Sequence, residues 1–457
     1  MAEPWPQSTR ATVVRKAGAF AMFLMLGLAP AGHAQTLDPP VPSPTTSNPC
    51  PSRDIPSSSN LLVRSLVTEW ALLAQDLCKV REWDHPWPNT QELLVDVLVG
   101  RGLHPTGGIV VPGSGPAAGL ALNLDWNERA LADGRFATNF EVRGSENGFW
   151  EAGARLQTLF AAYVENGRSP QFTLTAKHWD LPQLPFYGLG NDTLEHSRTL
   201  FGLRATEIAS SLDVPLPLGF TLAGELAGLW FDPESSATFG TVNNETTAPG
   251  LHGDTGYVRP RVLATWRYPV ADILYGFSTV ATVSYELDQA LRGGPYSFDR
   301  LEARWSVGLG LGPDIGALRF TGHLTISDPH AGNRVPFYRQ PTLGGADIND
   351  ENVLRGYRDY RFRAPNMIAY EISYERQIID PLGFRLFAEA GKVGLQPGDL
   401  GFHGLKSSVG VAATFRLGGA TVAEISLGWS AREGVHAYAT GNTNNAGGVN
   451  VGLRGVF

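Results

Sequence analysis

Past residue 34 the chain carries nine histidines: His85, His104, His178, His196, His252, His323, His330, His403 and His436. None stands in a His-x-x-x-His or His-Glu-x-x-His pair, the spacing that puts two ligands or a ligand and a base on one helical face. No serine motif flanks His323, as a hydrolase on a barrel wall would need. Asp347, Asp350 and Glu351 lie in ADINDE, but the twelve-residue ligand loop of a calcium site is missing. They read as solvated extracellular acids. Gly308–Gly312 (GLGLG) is followed by no helix start, so it is no phosphate cradle. The expectation is therefore no catalytic residue, no metal and no cofactor. What stands out is charge placed among apolar and glycine-rich sequence. Arg355, Gly356 and Tyr357 interrupt a regular pattern, and Glu371 and Glu375 share one face of the next segment. A guanidinium enclosed with carboxylates is held by forked hydrogen bonds, so the expected chemistry is ionic pinning.

The elements that must position these charges have a period of two. Leu120, Leu122, Leu124 and Trp126 alternate with Ala121, Asn123 and Asp125. Leu318, Phe320, Leu324 and Ile326 alternate with Arg319, Thr321, His323, Thr325 and Ser327. Val409, Val411 and Phe415 alternate with Ser408, Gly410 and Thr414, and Ile425, Leu427 and Trp429 with Glu424, Ser426 and Gly428. Successive strand side chains point to opposite faces, so each segment has one apolar and one polar or small face. Two architectures fit, a soluble sandwich and a transmembrane barrel. Segments of about ten residues match the ~9–11 that a tilted strand needs to cross a bilayer. Short connections near 379–383 and 416–420 alternate with long ones near 393–405 and 432–446, which favours the barrel. Residues 106–457 then hold about 16 strands at ~22 residues each with connections, and fourteen or eighteen fit almost as well.

Composition agrees. The chain has 457 residues, with 36 basic and 44 acidic, a net charge of −8. Such a balance argues against a nucleic-acid partner, which needs basic surface to displace counterions. Charged residues are 18%, below the roughly 25% of soluble domains, while 53 Gly, 32 Pro and 22 Phe mark a chain rich in turns and aromatics. Mean hydropathy of −0.10 is too low for a multi-span helical membrane protein.

Residues 1–34 read as an export signal. Arg10, Arg15 and Lys16 precede the apolar core Ala17–Leu28, and Ala34 suits a cleavage position. Residues 35–60 form a Pro/Ser-rich linker. Within 61–105, Leu62, Leu66, Trp70, Leu73, Leu77 and Val80 trace one helical face. That segment is expected to be periplasmic or a lumen plug. Cys50 and Cys78 flank this junction, and in an oxidising envelope they would close a loop worth ~3 kcal/mol.

The stretch VPFYRQPTLGGADINDENVLRGYRDYRFR, residues 335–363, breaks the alternation. It resembles the long loop of the BamA/TamA family, the bacterial surface antigen barrels, with Leu354-Arg355-Gly356-Tyr357 similar to the family's loop tip. Asn366–Gln377 resembles the strand that follows. Phe387-Ala388-Glu389-Ala390-Gly391 resembles the family's F-x-D-x-G strand, with Glu in place of Asp. Pro185–Asp192 is similar to a periplasmic-turn segment of these barrels. The last alternating residues, Val449, Val451, Leu453 and Phe457, resemble the C-terminal recognition signal of outer-membrane barrels. Gly452 fits that signal and Gly455 departs from it.

The resemblance implies an all-β, transmembrane antiparallel barrel whose sixth extracellular loop folds into the lumen. Arg355 would contact Glu389 there, with Gly356, Tyr357, Phe387 and Glu375 completing the lock. Family members with assembly or secretion roles carry periplasmic POTRA domains of ~75 residues, for which residues 35–105 leave no room. The implied partners are outer-membrane lipid, the barrel assembly machinery during biogenesis, and a protein or lipid client. Both termini would be periplasmic. A passive porin or uptake channel is the alternative.

Overall fold

In the computed structural model, residues 102–126, 135–160, 169–235, 245, 247–251, 255–268, 275–312, 315–347, 353–379, 382–417 and 420–441 are described. The signal, the linker, the 61–101 segment with Cys50 and Cys78, and the C-terminal residues Gly452 and Phe457 lie outside them.

The alternating segments form strands: β1 (Gly102–Gly108), β2 (Ala117–Trp126), β3 (Arg135–Ser145), β4 (Trp150–Leu159), β5 (Gln171–Phe186) and β6 (Thr199–Pro215). Next come β7 (Phe220–Ser235), β8 (Thr255–Tyr268), β9 (Tyr275–Ala290), β10 (Phe298–Gly312) and β11 (Gly316–Pro329). Two short strands, β12 (Thr342–Leu343) and β13 (Phe362–Arg363), lie within the next connection. The last five are β14 (Asn366–Ile379), β15 (Leu382–Gly394), β16 (Lys406–Leu417), β17 (Ala420–Ser430) and β18 (Gly434–Gly441). Sixteen strands pair with their neighbours in chain order, β11 joining β14, while β12 and β13 form a separate ribbon. Every described pairing is antiparallel.

The sheet curls into a barrel, because links far apart in the strand order meet through one loop. Residues 330–365 join β11 to β14. From this loop Tyr360 donates to the Pro112 carbonyl between β1 and β2 at 3.4 Å. Arg361 donates to the Thr193 carbonyl between β5 and β6 at 2.7 Å and also bonds Glu433 between β17 and β18. Asn191 donates to the Gly404 carbonyl at 2.8 Å, tying the β5–β6 link to the β15–β16 link.

The faces are the reverse of a soluble sandwich. On β17, Ile425, Leu427 and Trp429 are exposed, while Glu424, Ser426 and Ser430 are buried. On β15, Leu382 and Leu386 point out, and Phe387 and Glu389 point in. Parity thus sends apolar side chains outward and charge into the lumen.

Three sequence expectations change. The first strand starts at Gly102, inside the segment expected to be periplasmic or a plug. The connection expected near 432–446 is a short turn at 431–433 followed by β18. Here His436 and Tyr438 continue the inward parity and Val435 faces out, which the glycines and asparagines just beyond had obscured. Finally, Pro185–Asp192 is no turn of the short-connection end. It closes β5 and opens the β5–β6 link at the long-loop end, where Gly190 pairs with Arg363.

Candidate functional site

The site begins with a local peculiarity of the long loop. Gly344 and Gly345 have φ of 104° and 58°, values favoured by glycine because a Cβ there meets the peptide oxygen. A Cβ on Gly344 would stand 2.6 Å from the Arg358 carbonyl oxygen. This lets the strand fold back on itself, with Gly344 N–H donating to Val353 O at 3.1 Å and Tyr360 N–H to Gly344 O at 3.1 Å. Leu354 and Tyr360 take left-handed φ of 60° and 57° without being glycine, a cost of ~1–3 kcal/mol each that the surroundings must offset. Both are buried: Leu354 among Leu343, Tyr357, Phe362 and Met367, and Tyr360 beside Val110 and Phe337.

These two bends present Arg355 to the barrel wall. Its side chain is 1% exposed. The inward faces of β14, β15, β16 and β17 form rows there. Glu371, Glu389 and Ser408 stand side by side, and beneath them Ser373, Phe387, Gly410 and Gly428. Arg355 Nε donates to Glu389 Oε1 at 2.8 Å, and its backbone N–H donates to Glu389 Oε2 at 2.6 Å. Nη1 donates to Glu424 at 2.8 Å and Nη2 to Glu371. The guanidinium lies 3.6 Å from the centre of the Phe387 ring, a cation–π contact strengthened by removal from water. Ser408 donates to the same Glu389 oxygen at 2.6 Å.

Arg385 shares the carboxylates, donating to Glu371 at 2.5 Å and Glu424 at 2.8 Å. Two guanidinium groups thus face three carboxylates. Glu371 and Glu389 are direct cross-strand neighbours, a repulsive pair on their own, and Arg355 bridges them. Small residues make room. A Cβ on Gly410 would overlap the Phe387 ring, and one on Gly356 would come within 2.5 Å of the Trp429 carbonyl carbon. Tyr357 packs edge-on to Phe362 at 5.2 Å, and Tyr438 donates to its carbonyl.

Among the expected residues, Arg355, Gly356, Tyr357, Phe387 and Glu389 come together. Glu375 does not reach Arg355. It faces Arg385 across the ladder, four residues beyond Glu371, which takes the place expected of it. Glu424 and Arg385 were missed. Their signal was present as charge on the small-residue face of an alternating strand, but which strands face the loop tip is a matter of curvature.

The other end of the loop is anchored too. Arg339 donates to both Asp288 oxygens, at 2.9 and 3.1 Å, from a side chain that reaches the wall at β9. Its carbonyl accepts from Arg300, which also donates to Glu286 at 3.1 Å. Phe337 packs against Phe186 and Phe201 with ring centres 5.2 and 4.7 Å apart. The fold and this site define a sixteen-stranded barrel with a loop pinned across its lumen at two points.

No protein-family model matches the chain. No curated protein matches it either. Solved structures do. The chain is similar to BamA from Haemophilus ducreyi lacking POTRA domains 1-3, with 13% identity, coverage of 75% of this chain and 66% of that one, and a TM-score of 0.47. It is similar to CdiB from Acinetobacter baumannii, with 8% identity, coverage of 75% and 56%, and a TM-score of 0.42. OccK10 (OpdN) from Pseudomonas aeruginosa aligns with 13% identity, coverage of 71% and 88%, and a TM-score of 0.30. The chain spans just under two thirds of the length of the first and little over half of the second. These are likenesses of fold.

Proposed function

We propose that this protein is an outer-membrane barrel of the bacterial surface antigen (BamA/TamA) type, which assists a protein or lipid client into or across the outer membrane without catalysing a reaction. The carrying observation is the Arg355 cluster. A guanidinium held by three wall carboxylates keeps the long loop across the lumen, and a loop held there narrows the open path that free passive diffusion needs. The outward apolar faces support a setting in lipid, since exposed Leu, Ile and Val in rows around a sheet are costly in water. On this reading lipid covers the outside, the barrel assembly machinery inserts the chain, and the long-loop end faces the exterior. The short-turn end, where β1 begins and β18 ends, is periplasmic.

Planar-bilayer recording of the purified protein is the test. A pinned loop gives low, fluctuating conductance, and Arg355→Ala raises it. Large, steady steps in the wild type, unaffected by Arg355→Ala, would establish the passive channel instead. A deletion strain then reads the client: loss of particular proteins or of lipid asymmetry from the outer membrane identifies what the barrel serves.

A further inference from the structure

Between the two anchors the loop roofs a cavity of about 160 Å³ inside the barrel. It holds the share of about five liquid waters. Phe201 and Leu203 of β6 and Arg304 and His323 of β10 and β11 form its walls, and Tyr360 and Arg363 of the loop close it. Most of the charge around it is matched. Arg304 donates to Glu302 at 2.7 Å, and His323 lies 2.8 Å from the same oxygen. Arg300 and Arg339 also line the space, but Glu286 and Asp288 hold them from behind.

Arg363 differs. Its residue is 5% exposed, and no carboxylate among the described residues is in ion-pair contact with it. Nη1 donates to the Phe337 carbonyl at 2.6 Å, and Nε has no acceptor. The rings of Phe201 and Phe337 flank the guanidinium at 5.8 and 5.9 Å. Burial pulls the pKa of the guanidinium down to about 10, against the raising charges of Tyr360 and Asp347. Asp347 and Glu302 line the same cavity but make no ion pair with Arg363. A buried cation with donors to spare, aimed into a polar cavity, lacks a counterion.

We propose that this lumen cavity is a binding site for a small oxyanion, of the phosphate or carboxylate class, held by Arg363 and seated beneath the long loop. The occupant is a free ion rather than a lipid headgroup, because every wall residue lies on an inward face. Binding would add a third tie between loop and wall, linking the docked loop to the ionic contents of the lumen.

The test uses the full-length protein folded in detergent. Its thermal unfolding midpoint is followed against inorganic phosphate, and separately acetate, with chloride holding ionic strength constant so that screening does not change. The wild type should show a saturable rise with at least one of the two. Arg363→Gln should weaken the apparent affinity by about ten-fold or more, the worth of one charge-assisted hydrogen bond. Asp347→Asn, which keeps Arg363 and removes a competing negative charge, should strengthen it. No saturable rise in the wild type overturns the proposal, as does an undiminished rise in Arg363→Gln. Should Arg363→Gln not fold, Asp347→Asn decides: an affinity equal to or weaker than wild type rejects the site.

Discussion

The main chain of Arg355 rests directly on Gly428. A Cβ built on that glycine would overlap the Arg355 carbonyl, and the Gly356 nitrogen would be 2.7 Å away. The clash is with backbone, which has no rotamer to change. Gly428→Ala should therefore undock the tip while leaving β17 paired, because alanine suits a strand better than glycine. Limited proteolysis at 335–363 should accelerate with no loss of the heat-modifiable barrel on a cold gel. Equal cleavage of the two proteins would place the tip elsewhere.

Arg355→Ala removes the bridge between Glu371 and Glu389, leaving Glu371 and Glu424 to Arg385 and Glu389 to the Ser408 hydroxyl. Breaking a buried pair from one side costs ~3–5 kcal/mol, less where water enters. The loop should loosen, and Arg355→Lys should rescue only part, since one ammonium cannot reach three walls at once. Adding Glu389→Gln to Arg355→Ala should recover some protection by removing the cross-strand repulsion. Protease access on whole cells measures all three.

Arg339→Ala should release the other end of the loop. Asp288 would then be a carboxylate buried without its partner, and the ~3–5 kcal/mol cost of a broken pair applies again. The two anchors have no residue in common, so their effects should add. The double variant Arg339→Ala/Arg355→Ala should open the lumen well beyond either single change. Conductance no greater than that of Arg355→Ala would show that the first anchor carries the loop by itself.

Leu218 offers a stabilising change away from the loop. It holds φ of 61° in the turn between β6 and β7 and is 82% exposed. Asparagine tolerates that conformation better, so Leu218→Asn should stabilise by roughly 1 kcal/mol. Its carbonyl remains the acceptor for Trp266 Nε1 at 3.1 Å. The midpoint of urea unfolding is the measurement, and a lower midpoint refutes the strain argument.

Maturation gives a prediction from sequence alone. Protein recovered from the outer membrane should begin at Gln35, after Ala34. N-terminal sequencing that finds Met1 or the Ala17–Leu28 core would reject the export signal.

The alternation of residues such as Ile425, Leu427 and Trp429 with Glu424, Ser426 and Gly428 was enough to determine strands and their two faces, and the lengths of segments and connections favoured a barrel over a sandwich. It works because a strand's period is two, and burial sorts the two faces without reference to anything distant. Resemblance added the pairing of Arg355 with Glu389. The tertiary structure alone decided that Glu371 and Glu424, not Glu375, complete the cluster. Sequence parity puts all three carboxylates in the lumen, but their height along the barrel depends on strand register and on how far the loop reaches. The same holds for Arg339 on Asp288, 51 positions apart, and for Arg363 over its cavity. Parity tells which way a side chain points. What it meets there is fixed by the curvature of the sheet, which no local pattern encodes.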